Sequence, residues 1–183
     1  MNTQHKIVLD TFDTIKTTAE IQGSEFKRVL NIGYRPNSNP LAQQWCEANG
    51  VHFDVLEVFG RNVVWAKHAR LKVHHMDVRE LVTRPDLDIG QYDFVLWLHG
   101  PEHIHWSEFL EVRHCVEGLS TYGVIYQAPI GEHIVHPEYY GNPAEAHLES
   151  LWPFQFTSLG YTTVLHKSET ENCFSAVRIK PCV

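Results

Sequence analysis

The sequence predicts an α/β fold, a doubly wound and mostly parallel seven-stranded sheet that ends in a C-terminal antiparallel hairpin. Two observations carry this. Short apolar runs alternate with helix-length segments along most of the chain, the pattern of a parallel sheet covered on both faces. At the end, YTTVLHK and CFSAVRIK flank the polar SETEN, which reads as two strands and their turn.

The elements follow in order. KIVLDTFDTIKTTAEIQ (6–22) places Ile7, Leu9, Phe12, Ile15 and Ala19 at helical intervals, and Gly23 and Ser24 stop the helix. RVLNIG (28–33) is a short strand, and Pro40 to Ala48 a helix closed by Asn49 and Gly50. HFDVLEVF (52–59) is a strand followed by a helix from Asn62 to Ala69. LKVHHM (71–76) is a strand followed by the short helical DVRELV. YDFVLWL (92–98) is the most apolar strand, followed by a helix from Trp106 to Gly118. GVIYQAP (123–129) makes the fifth strand. Residues 130–147 break the rhythm, and a segment this long without periodicity in a compact domain is usually functional. A helix from Pro153 to Leu159 precedes the hairpin, with proline suited to its first turn. The expected organisation is one domain over 1–183: an N-terminal helix (1–24), a ligand-binding core (26–129), a substrate-side loop (130–147) and a closing helix and hairpin (148–183).

Composition bounds the function. The 183 residues are 43% hydrophobic and 20% charged, enough for one sizeable core. A net charge of −7 opposes non-specific contact with nucleic acid or anionic membrane, so neither is an expected partner. No apolar run is long enough to span a bilayer, and MNTQHKIVLDTFD lacks the layout of a secretory signal. A cytoplasmic protein is expected. Cys46, Cys115, Cys173 and Cys182 form no CxxC pair, and reduced thiols are the simplest reading.

In an open parallel sheet, ligands bind beyond the carboxyl ends of the strands. Four such ends carry polar or flexible residues: Gly33 with its loop, Glu57, Asp77, and LHGPEH after the fourth strand. Gly33 alone is compatible with a plain turn, and Asp77 taken singly is better read as a helix cap. Glu57 is the strongest pointer, because a strand buried on both faces tolerates a charge poorly.

The order and spacing of VLNIG, Glu57, Asp77, YDFVLWLHGPEHI and the terminal hairpin resemble the class I S-adenosylmethionine-dependent methyltransferases, from about Phe26 to Ile179. So do the strand ending in APIG and the stretch GNPAEAHLESLWPFQFTSLGY. The resemblance implies a Rossmann-like fold and S-adenosylmethionine as cofactor, held by Asn31, Gly33, Arg35, Asn37, Glu57, Asp77, Val78, His99 and Gly100. The family's first loop runs acidic-x-Gly-x-Gly-x-Gly. Here the matching positions are Asn31, Gly33, Arg35 and Asn37, so the acid and two glycines are replaced. Glycine at the middle position allows close approach of the backbone, so Arg35 must swing aside or fill part of the pocket. Asn37 is the milder change.

For methyl transfer the protein must align an acceptor and, for oxygen or nitrogen, remove its proton. Glu102 and His103 lie beyond the fourth strand and are the candidate bases. His133, His136, Tyr139 and Tyr140 lie on the long loop and are the candidate substrate contacts. A small-molecule acceptor is expected, since no DPPY- or NPPY-like tetrad follows the fourth strand. Two alternatives remain: a catalytically inactive methyltransferase-like binding or partner module, and a metal-dependent hydrolase using His99, Glu102, His103 and His105. The second ranks lower, because Gly100 and Pro101 break any helix and the HExxH order is absent, so no metal is expected. Edge strands or the N-terminal helix offer surfaces for a homodimer.

Overall fold

The computed structural model describes residues 3–35, 40–132, 135, 141–167 and 172–181. Its centre is a seven-stranded sheet of order β3-β2-β1-β4-β5-β7-β6, formed by β1 (Arg28–Ile32), β2 (His52–Glu57), β3 (Val73–His75), β4 (Tyr92–Leu98), β5 (Ser120–Pro129), β6 (Thr162–Lys167) and β7 (Asn172–Ile179). Strands β1 to β5 pair in parallel, and β7 runs antiparallel between β5 and β6. The expected sheet, including its closing hairpin, is the one found.

Helices α1 (Thr3–Ile21), α2 (Pro40–Ala48), α3 (Gly60–His68), α4 (Glu80–Thr83), α5 (Trp106–Gly118) and α6 (Pro153–Ser158) complete the fold. Strand alternation in β4 shows why both faces need cover. Phe94 and Leu96 enter one apolar layer with Phe12, Phe26, Cys46 and Ala66, which come from α1, α2, α3 and the chain between. Val95 and Trp97 enter the other, with Phe109, Val112, Val116 and Phe156 from α5 and α6. Phe109 and Phe156 lie 5.2 Å apart and are fully buried. Truncating either to alanine removes about 3–5 kcal/mol.

The differences from sequence expectation have local causes. β2 stops at Glu57 rather than Phe59, because the Phe59 amide turns back to donate to the Glu57 carboxylate (2.7 Å). Helix α3 therefore starts two residues before Asn62. The helix expected in DVRELV shrinks to Glu80–Thr83, since Asp77 accepts the Arg79 amide (2.9 Å) in a side-chain turn ahead of it. β5 starts three residues earlier than Gly123, at Ser120, which pairs with Tyr92 across an irregular step.

Gly123 permits the close approach of β7 to β5. Its φ is +152°, and an added Cβ would lie 2.2 Å from the Arg178 carbonyl oxygen of β7. Gly123→Ala is expected to cost roughly 2–3 kcal/mol, read as a lower urea midpoint at unchanged slope.

A buried polar group bridges the hairpin to β5. The Gln127 amide donates to Ser175 Oγ (3.0 Å) and faces His166 Nε2 at 3.3 Å. Since Gln127 can offer only hydrogens from that nitrogen, His166 Nε2 is its acceptor and the ring is neutral. Burial first, and the nearby His99 second, push His166 down to about 4. The unfolded chain binds the proton from about pH 6.5 downward, so stability is lost as pH falls from there toward 4. Equilibrium unfolding at several pH values should show wild type losing on the order of 3 kcal/mol relative to His166→Gln across this window, because the variant has no proton to accept there.

Candidate functional site

The order of the strands reverses between β1 and β4, whose following helices α2 and α5 leave to opposite faces. That divergence opens a crevice beyond the strand ends. The first loop leaves β1 through Asn31, buried, whose amide donates to the Gly33 carbonyl. Gly33 has φ +79°, a left-handed turn that favours glycine.

Glu57 at the end of β2 is 5% exposed, and its oxygens are taken up by the protein itself. Oε2 accepts the Tyr34 amide (2.6 Å) and the Asn62 side chain (3.3 Å), and Oε1 accepts the Phe59 amide (2.7 Å). Burial raises its proton affinity, and these three donors work against that shift. Glu57 thus ties the loop after β1 to the loop after β2. The argument from a buried charge applies equally to Asp54 in the same strand, yet Asp54 meets Arg28 (2.9 Å) and the Tyr92 hydroxyl (3.1 Å) and belongs to the scaffold.

Arg35 is exposed. With Phe59, Arg61, Asn62, Trp65, Asn142 and Glu145 it lines a cleft of about 190 Å³ beside the Glu57 loops. Asn37, His133, His136, Tyr139 and Tyr140 lie outside the described residues. Asp77 is held by Arg79 through the backbone amide, Nε (3.0 Å) and Nη2 (2.6 Å). Partial burial opposes its ionisation, but the Arg79 hydrogen bonds and charge carry it below the usual carboxylate range. Val78 beside it is buried. Asp77 thus closes a side-chain turn ahead of α4, whose own N-cap, Arg79, makes no side-chain cap bond.

At the end of β4 the chain makes a tight reversal. His99 has φ +50° and donates its amide to the Gln127 carbonyl (2.9 Å). Gly100 lies against the Trp97 indole, where any Cβ would sit 2.0 Å from Nε1. A 3-10 turn over Pro101–His103 then drops Glu102 into the interior, 1% exposed. Its Oε1 lies 3.8 Å from His99 Nδ1 and 4.0 Å from His147 Nε2. His103 stacks edge-on against His147, ring centroids 5.0 Å apart. Its Nδ1 lies 3.1 Å from the Ala146 carbonyl, and Nε2 lies 3.1 Å from the His99 carbonyl. Carbonyl oxygens only accept, so whichever ring nitrogen carries the hydrogen donates to the carbonyl it faces.

The downstream segment completes the site. The Leu148 and Glu149 amides donate to the Glu102 carbonyl (2.9 and 3.2 Å). The Glu149 carboxylate accepts the first amide of α5, from Trp106 (2.9 Å), and Glu108 accepts that of His105 (3.1 Å). Sequence reasoning grouped His99, His103 and His105; in the structure His105 is exposed at the start of α5, and His147 takes its place beside Glu102 and His103. The cue for His147 was weak, since residues 130–147 show no apolar periodicity.

No protein-family profile and no curated protein matches the sequence. Solved structures do. A SAM-dependent methyltransferase from Archaeoglobus fulgidus is 14% identical with a TM-score of 0.58, covering 92% of this chain and 94% of its own. Magnesium protoporphyrin IX methyltransferase from Synechocystis, crystallised with SAH, is 15% identical with a TM-score of 0.60, covering 97% and 83%. The methyltransferase domain of bacterial CtHen1 is 13% identical with a TM-score of 0.62, covering 97% and 99%. The Rossmann-like sheet, its strand order and these likenesses together give the chain the fold of the class I S-adenosylmethionine-dependent methyltransferases.

Proposed function

We propose that this chain is a single-domain cytoplasmic enzyme that transfers a methyl group from S-adenosylmethionine to a small-molecule acceptor. The observation that carries the reading is the Glu57 carboxylate, set beside the Gly33 turn at the crevice where the strand order reverses. Structures of this fold crystallised with SAM or SAH support the cofactor. A net charge of −7 favours a small acceptor over nucleic acid.

The bound cofactor supplies an electrophilic methyl group. The chain's own task is binding and alignment. A carboxylate has about four lone-pair sites, and three protein donors meet Glu57. The remaining site would accept one ribose hydroxyl. Asn31, Gly33, Arg35 and Asn37 would line the donor side of the crevice, and Asp77 and Val78 would border its base end. His99 and Gly100 would form the wall nearest the methyl. Glu102 and His103 would lie on the acceptor side of the methyl group, and His133, His136, Tyr139 and Tyr140 would contact that acceptor. A second reading, a non-catalytic binding module, is favoured by Arg35 at the position where the family carries a glycine.

Calorimetric titration of the purified protein with S-adenosylmethionine and S-adenosylhomocysteine separates the two readings. Micromolar binding of both is expected, and Glu57→Gln should weaken it by roughly tenfold or more, the worth of a hydrogen bond to a charged group. Absence of binding to folded wild type overturns the methyl-transfer reading. Because Glu57 also ties two loops, the variant's folding must be checked by circular dichroism in the same preparation.

A further inference from the structure

Among the described residues, Glu102, His103 and His147 each offer one ligand atom, and those atoms all lie within 4.8 Å of one another. We propose that these three side chains bind a single divalent transition-metal ion at the carboxyl end of β4. The proposal goes beyond methyl transfer and is tested without a methyl donor.

Three features distinguish the group from a chance gathering of histidines. The first is burial: Glu102 is 1% exposed, and three imidazoles surround it, His99 and His147 at 3.8 and 4.0 Å from Oε1 and His103 ring-to-ring with His147. A cation close by stabilises a buried carboxylate, and a metal provides a full one.

The second feature is convergence from separate parts of the chain, held in place by backbone. Glu102 and His103 sit in the 3-10 turn, and His147 arrives on the segment whose Leu148 and Glu149 amides bond to the Glu102 carbonyl. Zinc donors stand about 2.0–2.2 Å from the ion and so roughly 3.5 Å from one another. The present separations need contraction by about an ångström, which side-chain torsions deliver with the backbone fixed.

The third feature is an outer partner. Each nitrogen of His103 faces a backbone carbonyl, of Ala146 and of His99. When one nitrogen turns to the metal, the other keeps its carbonyl, the usual way a ligating histidine has its tautomer and orientation set. Two imidazoles and one carboxylate suit zinc, iron, cobalt or manganese better than magnesium or calcium, which prefer all-oxygen shells. Three protein ligands leave positions for water or an oxygen of a bound molecule.

The test uses the full chain, stripped with chelator and titrated calorimetrically with zinc, manganese and magnesium chlorides. One zinc per chain is expected, with a rise in melting temperature and little response to magnesium. Loss of a second-shell partner alone costs 10- to 100-fold in affinity, so Glu102→Gln and His147→Gln should each weaken zinc by at least about 100-fold. His75→Ala, remote and exposed, should not change it. Should either ligand variant fail to fold, X-ray absorption on zinc-loaded wild type decides by itself. A shell with two imidazole nitrogens and a carboxylate oxygen supports the site. A shell of any other composition, no zinc binding at all, or folded variants with unchanged affinity overturns it.

Discussion

A single buried carboxylate organises the ligand end of this sheet. Glu57 closes β2, draws the Phe59 amide out of the strand direction and collects the Tyr34 amide from the loop after β1. Two loops that would otherwise end independently on adjacent parallel strands are fastened through one side chain. The crevice between β1 and β4 is bounded on one side by that fastening. The same charge that a ligand would use is therefore one the fold already uses, and the cost of its desolvation is offset locally by three donors.

The opposite wall is built by a different kind of constraint. Gly100 is seated on the Trp97 indole, so the chain leaving β4 turns immediately and sends Glu102 inward rather than toward the crevice mouth. The residues from His147 to Glu149 then lock to that turn and to the N-terminus of α5. Glu102 and His103 look like an exposed catalytic pair in the sequence. In three dimensions they are part of a closed polar unit.

How much of this was legible follows the physics of each signal. YDFVLWL and the helix from Trp106 were legible to the residue, because a doubly buried strand and a capped amphipathic helix write their character into consecutive positions. Strand ends were less legible: β2 stops where a side chain diverts the backbone, and β5 begins early through a Ser120–Tyr92 pair set across an irregular step in β4. Glu57 was legible as a buried charge, but Asp54 carries the same signal, and only the partners Arg28 and Tyr92 tell them apart. His147 was not legible as a neighbour of Glu102, since nothing in an aperiodic segment says where it returns to the sheet.

The order of strands at the far edge bears on synthesis. β7 lies between β5 and β6, so a strand made later separates two made earlier. While the chain is being synthesised, β5 presents an unsatisfied edge and β6 has no place to pair. Neither is closed until Asn172–Ile179 has emerged. A nascent chain of this protein therefore carries an open sheet edge at β5 until Asn172–Ile179 has been made.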